Sequence, residues 1–401
     1  WGLEELEQWV GGVLHASVQE IRTELTDRPF SFEGGEFRDV RSLSFAFGES
    51  WSRAEATIRS ESFTKWMQRS ITDEGVNEGC KAMLEADGEA AAAPGYLASQ
   101  VSLMLDRNAP LRFKSLVAMP SGLGPPLAVA FMENDTETIS VIRDALNGGA
   151  VLNWFSIQPE QILLDLEPEI TEIKQVQSLL RHEGPGYGIE RCLYTLNRTL
   201  PCLSPIMGNK HLDSLRGLLQ TLEDIVTETG ELPILVDRHL PAYIAARISG
   251  NLDRQLAKLE SGKGQEFTPR LAMIEILARL QESLGPDEVP QLTSWLAREM
   301  EPAVARLNSK KRRELAQKNL EIAANSGNLA ELNKTLNNEA VLKRDEGERR
   351  RADKEWKAAI KEINSLESNE FVDSAQRTGW RIASMISSVS AVMAFVMLIL
   401  W

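Results

Sequence analysis

The chain has 401 residues, of which 43% are hydrophobic and 25% are charged, and this excludes a mostly disordered chain and a protein with many membrane spans. The net charge of −14 is uneven, because residues 1–300 hold 27 Lys and Arg against 44 Asp and Glu, whereas residues 301–381 hold 17 against 14. Such an acidic N-terminal part repels phosphate backbones, so no nucleic-acid partner is expected.

Residues 1–90 are predicted to form a helical unit that contains a β-hairpin. Apolar residues at spacings of three and four over residues 2–24 predict an amphipathic helix. Phenylalanines on both sides of Glu33-Gly34-Gly35-Glu36 predict two antiparallel strands joined by a Gly-Gly turn. Helical spacing then returns, and Trp51 and Trp66 lie at positions typical of a core.

Residues 91–300 are predicted to form a helical body, which follows a linker or surface loop at Ala86–Pro94. Prolines and glycines between Ala109 and Pro126 divide the start of this body into short pieces. Short connections between the later helices favour a multi-helix bundle or an irregular α-solenoid. The predicted helices are 159–181, 188–196, 211–229, 238–248, 251–260, 268–284, 289–299 and 301–325.

Residues 301–370 are predicted to form a charged helical stalk. Its second half has runs of Lys, Arg, Asp and Glu with sparse apolar positions such as Trp356, Ile360 and Ile363. This pattern indicates a solvated stalk or one strand of a coiled coil.

Residues 371–401 hold the strongest local signal, because the twenty residues from Ile382 to Trp401 carry no charge. A helix of that length crosses about 30 Å of hydrocarbon. Arg377 and Arg381 precede it, and the positive-inside tendency then places the body on the cytoplasmic side of a bacterial inner membrane, with lipid as a partner. A buried hairpin helix of a soluble core is the alternative. The residues expected to anchor the chain are Trp380, Arg381, Ile382, Phe395, Leu398 and Trp401.

No motif in the sequence predicts a cofactor, a metal ion or a small-molecule substrate. Ser261-Gly262-Lys263-Gly264 lacks the earlier glycine and the hydroxyl that a phosphate-binding loop needs. The four histidines are scattered, and the three cysteines have no ligand spacing, so buried thiols in a reducing compartment are expected.

One stretch, His182 to Tyr194, places His, Glu, Tyr and Cys within thirteen residues. An active site there would use His182, Tyr187, Glu190 and Cys192, which would have to converge on one pocket. The glycines and prolines instead favour a structural corner between helices, so no catalytic residue is assigned. The corner residues are Gly184, Pro185, Gly186, Gly188 and Pro201.

Several short motifs resemble the region that follows the catalytic domain in some bacterial eukaryotic-like serine/threonine kinases. They are Trp1-Gly-Leu-Glu-Glu-Leu-Glu-Gln-Trp9, Arg28-Pro29-Phe30-Ser31-Phe32-Glu33-Gly34, Trp51, Phe63-Thr64-Lys65-Trp66, Ala109-Pro110-Leu111-Arg112-Phe113 and Gly184 to Tyr194. The chain has no kinase glycine-rich loop, His-Arg-Asp loop or Asp-Phe-Gly motif, so no catalytic role is carried over. The resemblance implies a tethered, non-catalytic module that holds, dimerises or regulates a kinase domain.

The sequence therefore predicts a membrane-tethered interaction or regulatory module in signalling, which acts on a protein partner or as a homo-oligomer. A scaffold subunit of a larger membrane complex is the alternative. In that case the serines of the tail would pack against a partner helix.

Overall fold

The structure of the protein is a computed structural model, and it describes residues 25–85, 93–260, 267–367 and 369–401. The described part is mainly α-helical, with two small antiparallel sheets and one apolar helix at the C-terminus, which confirms the predicted fold class. The chain forms two compact units, Trp1–Pro286 and Asp287–Trp401.

Three predictions concern residues outside the described ranges. They are the helix over residues 2–24, most of the linker at Ala86–Pro94, and the loop at Ser261–Gly264.

The first sheet is the predicted hairpin, in which β1 (Leu25–Phe32) pairs antiparallel with β2 (Gly35–Asp39). Because Phe32 lies opposite Gly35, the two-residue turn is Glu33-Gly34, and the expected Gly-Gly turn is wrong. Glu33 and Gly34 have φ of 52° and 80°, the positive values that give a tight hairpin its twist.

The hairpin places aromatic side chains in the core of the first unit. Phe30 and Phe32 are buried and lie edge-on to Phe47, with ring centroids 6.3 and 4.9 Å away. Trp66 is also buried and donates a hydrogen bond from Nε1 to the carbonyl of Arg28 at 2.8 Å. Its expected place in the core is therefore confirmed.

A second hairpin lies between Ala109 and Pro126, where the sequence predicts only short irregular pieces. β3 (Leu111–Phe113) pairs antiparallel with β4 (Leu116–Ala118). Strands of three residues are too short to show an alternating pattern, which explains why the sequence does not reveal them.

The helices of the first unit form two groups in chain order. Between the two hairpins lie α1 (Val40–Glu49), α2 (Trp51–Ile58), α3 (Glu61–Ser70), α4 (Glu74–Glu85) and α5 (Tyr96–Leu105). After the second hairpin lie α6 (Gly124–Glu133), α7 (Thr136–Asn147), α8 (Ala150–Ser156), α9 (Glu160–Asp165), α10 (Glu167–Leu180), α11 (Gly188–Leu196), α12 (Leu215–Thr229), α13 (His239–Arg247), α14 (Asp253–Leu259) and α15 (Thr268–Leu284). The predicted helix 159–181 is two helices, α9 and α10.

The second unit begins with α16 (Pro290–Ala305), α17 (Lys310–Ser326) and α18 (Leu329–Leu336). The break predicted between residues 299 and 301 is wrong, because α16 continues through Pro302. This proline lies in the last turn and gives up one hydrogen bond, to the carbonyl four residues earlier, while the rest of the helix keeps its bonding. The amide of Val289 donates to the carbonyl of Gly327 at 2.9 Å and joins the start of α16 to the end of α17.

Two long helices complete the second unit: α19 (Glu339–Glu367) and α20 (Asn369–Ile399). They cover the second half of the predicted stalk, residues 301–370, and most of the predicted tail, residues 371–401.

Candidate functional site

The corner before α11 depends on glycine. Gly184, Gly186 and Gly188 have φ of 134°, 89° and 71°, values that other residues rarely adopt. A Cβ on Gly186 would lie 2.4 Å from Cδ2 of Leu256. A side chain here would require Leu256 of α14 to shift and would adopt a φ that favours glycine.

The two prolines of the corner lie at its turns. Pro185 stands between two of the left-handed glycines, and Pro201 precedes Cys202, whose amide donates to the carbonyl of Leu212 at 2.8 Å. This backbone hydrogen bond stabilises the segment between α11 and α12.

His182 and Tyr187 lie together at the corner, with ring centroids 5.3 Å apart. The hydroxyl of Tyr187 donates to Oδ1 of Asp253 at 2.9 Å. Burial and this neighbouring carboxylate raise the pKa of Tyr187 to about 12, so the phenol stays protonated at neutral pH.

Glu190 and Cys192 have other partners. Glu190 accepts hydrogen bonds from Nε and Nη2 of Arg238 at 2.7 and 3.1 Å, and the Cys192 thiol donates to the carbonyl of Val176 at 3.4 Å. Burial raises the pKa of the Cys192 thiol to about 12. No hydrogen bond joins any two of His182, Tyr187, Glu190 and Cys192 in the described part of the chain. The geometry therefore does not bring these four side chains into one catalytic cluster.

Tyr194 joins α11 to α13. Its hydroxyl lies 3.0 Å from Nδ1 of His239 and accepts a hydrogen bond from the amide of Leu203 at 2.9 Å. Burial lowers the pKa of His239, so the neutral imidazole is favoured. Asp237 accepts hydrogen bonds from the Ser204 hydroxyl and from the backbone amide of Leu240. The second bond satisfies an amide in the first turn of α13.

Arg247, the last residue of α13, holds the loop after α11. Its Nη2 donates to the carbonyls of Asn197, Arg198 and Leu200 at 3.3, 2.9 and 2.7 Å. The guanidinium carbon lies 4.0 Å from the ring centroid of Tyr243, a cation–π distance. Its Nη1 is buried and has no hydrogen-bond partner among the described residues.

A cleft of about 520 Å³ opens where α10, α11 and α13 meet. The sequence does not reveal this cleft, because its arginines come from separate segments of the chain. Its polar and charged lining is Thr171, Glu172, Gln175, Arg191, Thr195, Arg198 and Arg247.

Arg191 is the most enclosed arginine of this cleft. Both its Nε and its Nη1 are buried without a hydrogen-bond partner in the residues that the structure describes. Burial lowers the pKa of Arg191 to about 10, and the nearby Tyr187 and Asp253 oppose this shift. The guanidinium is still protonated at neutral pH, so Arg191 brings a positive charge to the cleft.

In the second unit, Asp345 of α19 binds the start of α17. Its carboxylate accepts hydrogen bonds from the amide and side chain of Asn308 at 2.8 and 2.9 Å, and from the amide of Ser309 at 3.0 Å. Nη1 of Arg312 lies 3.1 Å from the same group. Burial raises the pKa of Asp345, but these hydrogen bonds outweigh it and lower the pKa to about 2.

The rest of the stalk helix α19 is solvated. Trp356, Ile360 and Ile363 are exposed. Ion pairs one turn apart, such as Lys357 with Asp353 at 2.8 Å, line its surface. These apolar positions have no partner in the described part of the chain.

The C-terminal helix α20 contains a segment, Val372–Ile399, that is long and apolar enough to cross a membrane. At 1.5 Å per residue its 28 residues span about 42 Å, more than the roughly 30 Å of hydrocarbon. None of it is buried, and Trp380 and Leu398 are 77% and 79% exposed. A buried core helix, the alternative considered from the sequence, does not fit these exposures.

The remaining predicted anchor residues lie along the same exposed helix or just after it. Arg381, Ile382 and Phe395 belong to α20, whereas Trp401 lies two positions after Ile399, where α20 ends. The Ser384 hydroxyl donates to the carbonyl of Arg381 at 2.9 Å, and the Ser388 hydroxyl donates to that of Ser384 at 2.8 Å. Both hydroxyl protons are thus satisfied within the helix.

Among the described residues, no group of three or more His, Cys, Asp or Glu side chains could hold a metal ion. Comparisons of the chain with protein-family models, with curated proteins and with solved structures found no match.

Proposed function

We propose that the chain is a membrane-tethered helical module that acts through protein contacts and has no catalytic site of its own. The observation that carries this proposal is the uncovered apolar helix at the C-terminus. In water, so much exposed apolar surface would drive aggregation, whereas in a bilayer the same surface is solvated by lipid.

The charges beside the helix support an orientation. Arg377 and Arg381 lie at its N-terminal end. Basic residues are favoured on the cytoplasmic side, so we place the helices before the tail in the cytoplasm and the tail in the inner membrane.

A signalling role is supported by the residues that resemble kinase C-terminal regions. Arg28–Gly34 forms strand β1 with its turn, Ala109–Phe113 leads into β3, and Gly184–Tyr194 forms the glycine corner and most of α11. These motifs fall on elements of the fold that organise the first unit. In this proposal the module holds or regulates a kinase domain of the same signalling protein.

The alternative of a scaffold subunit needs the tail to bind a neighbouring helix. Ser384 and Ser388 donate to their own helix, so their hydroxyl protons do not require such a partner. This favours the regulatory module over the scaffold.

Protease protection on sealed inside-out and right-side-out vesicles tests the tether and its orientation. We expect the helical units to be digested only in inside-out vesicles, and we expect the tail to resist extraction at alkaline pH. Digestion in right-side-out vesicles would reverse the orientation, and release at alkaline pH would remove the tether.

Purification of the full chain in mild detergent tests the role. A monomer or homodimer, together with a reading frame that continues upstream of Trp1 into a kinase domain, is the expected result. A fixed stoichiometric complex with unrelated membrane subunits would favour the scaffold.

A further inference from the structure

The arginine-lined cleft is independent of the tail and has an unusual charge for its surroundings. Residues 1–300 carry 27 basic against 44 acidic residues. The cleft nevertheless combines three guanidinium groups, of Arg191, Arg198 and Arg247, with one carboxylate, of Glu172. Two positive charges therefore remain at this point of an acidic body.

The cleft arginines differ in what they already bind. Arg198 is exposed and lies 3.6 Å from Glu172. Nη2 of Arg247 donates hydrogen bonds to three backbone carbonyls, and its Nη1 is buried and has no hydrogen-bond partner in the described residues. Arg191 has two buried donors, Nε and Nη1, that bind nothing in the described residues.

Buried donors on a charged group are normally satisfied, because an unpaired buried charge is costly. A residue that served only packing could be apolar, since the methylene stem alone would fill the space. The side chains of Arg191 and Arg247 line one cleft, and the positive charge that they bring to it matches a ligand with several acceptor oxygens and a negative charge.

We propose that this cleft binds the phosphate group of a phosphorylated small molecule, with Arg191 and Arg247 as the main phosphate ligands. Arg198 adds a charge at the rim. The volume of about 520 Å³ lies in the range of small-molecule sites and leaves room beside the phosphate for the rest of the ligand. Glu172, Thr171 and Gln175 line the same cleft and offer acceptors and donors to that remainder.

Calorimetric titration of the full chain in non-ionic detergent with inorganic phosphate tests the site, with sodium chloride at equal ionic strength as the reference. We expect saturable binding at one site with a Kd below about 1 mM, an affinity that a few charge-assisted hydrogen bonds support. Arg191→Met is expected to weaken binding at least about tenfold, since it removes the enclosed guanidinium. Absence of saturable binding by the wild type would overturn the proposal.

Two further variants complete the test. Arg198→Gln is expected to weaken binding only about threefold, because its charge is exposed and already lies beside Glu172. Arg216→Gln, which changes an exposed arginine outside the cleft, is the matched control and should bind as the wild type does. Equal losses in Arg216→Gln and Arg191→Met would assign the effect to net charge and overturn the site.

Thermal unfolding separates a binding role of Arg191 from a structural one. In phosphate-free buffer Arg191→Met should melt no lower than the wild type, because it removes a buried charge that lacks a partner. Phosphate should then raise the Tm of the wild type and not that of the variant. The proposal would be overturned if the variant had a lower Tm than the wild type without phosphate and if phosphate raised the Tm of both proteins by the same amount.

The phosphate could come from a soluble compound or from a lipid headgroup, and nanodiscs distinguish the two. In phosphatidylcholine discs we expect binding of free phosphate. If discs that contain phosphatidic acid abolish that binding, the lipid phosphomonoester occupies the cleft, and if binding persists there the source is soluble. Failure to bind phosphate in the phosphatidylcholine discs contradicts the proposal.

Discussion

The carboxylate of Asp345 accepts a hydrogen bond from the backbone amide of Ser309 at 3.0 Å, across 36 positions of sequence. Ser309 precedes α17 and makes no side-chain cap of its own. The long helix α19 therefore supplies the acceptor that the start of α17 lacks. This bond fastens the stalk helix to the helices before it within the second unit.

Substituting Asp345 with Asn should loosen this attachment. The asparagine side chain has the shape of the aspartate side chain but lacks the negative charge that accepts four hydrogen bonds. We therefore expect the free energy of unfolding of the second unit to fall by about 2–4 kcal/mol. Hydrogen exchange should become faster at the amides of Asn308 and Ser309. Asp353→Asn, on an exposed ion pair of the same helix, is the control and should leave the free energy of unfolding almost unchanged, because solvent screens that pair. Equal costs for the two variants would contradict the capping role.

The same carboxylate gives the second unit an acid-sensitive bond. Because the pKa of Asp345 falls from 3.8 to about 2 on folding, its contribution is complete above about pH 4 and is lost as the pH falls through 2. Stability of the second unit, followed by hydrogen exchange between pH 5 and 2, should decline more in the wild type than in Asp345→Asn. Parallel pH profiles would show that the carboxylate does not carry this dependence.

Gly186→Ala should disrupt the corner before α11. The new Cβ would sit 2.4 Å from Leu256 at a φ of 89°, so both a clash and backbone strain arise, and we expect a loss of about 2–4 kcal/mol. Gly122→Ala, at a position with open space and no positive φ, should change stability by less than about 1 kcal/mol. Thermal or urea unfolding of the full chain in detergent measures both. A stable Gly186→Ala protein would mean that α14 can move away.

The three cysteines should be unreactive in the folded chain. Burial raises the pKa of Cys80, Cys192 and Cys202 to about 12, so almost no thiolate forms at pH 8. Labelling with a thiol reagent should be slow in buffer and complete for all three only after denaturation. Rapid labelling of Cys192 in the native protein would instead support a nucleophile at that position.

A charge in the middle of the tail should impair membrane insertion. Val392→Lys places an ammonium group near the centre of the uncharged stretch, at a cost of about 3 kcal/mol. Thr378→Lys adds the same charge on the N-terminal flank, where a basic residue is tolerated, and serves as the control. The fraction of chain that resists alkaline extraction measures both, and equal fractions would contradict a spanning tail.

The sequence predicts those elements whose pattern is local. The first hairpin carries a dense aromatic pattern around a turn, and the apolar tail has no charge over twenty residues. The turn itself was predicted one residue too far along, because Glu33 can adopt the positive φ that glycine was expected to supply. The break predicted between residues 299 and 301 is also wrong, because α16 continues to Ala305 with Pro302 inside it.

The arginine cleft could not be predicted, because it depends on contacts between distant segments. Arg191 and Thr195 share one face of α11, but Arg247 lies about fifty residues further on. A charged residue on a helix is by default solvated, and only packing of α10 and α13 against α11 encloses Arg191. One local signal exists: Arg191 interrupts the buried run Ile189, Glu190, Cys192 and Leu193.

The acidity of the first 300 residues bears on which anions could approach the arginine cleft. At physiological salt, charges farther away than about 8 Å are strongly screened, so a small ion entering the cleft meets mainly the guanidinium groups around it. A long polyanion extends over the acidic surface beyond and is repelled along most of its length. Size and charge together thus make the cleft selective: it admits a compact phosphate and disfavours a polymer of phosphates.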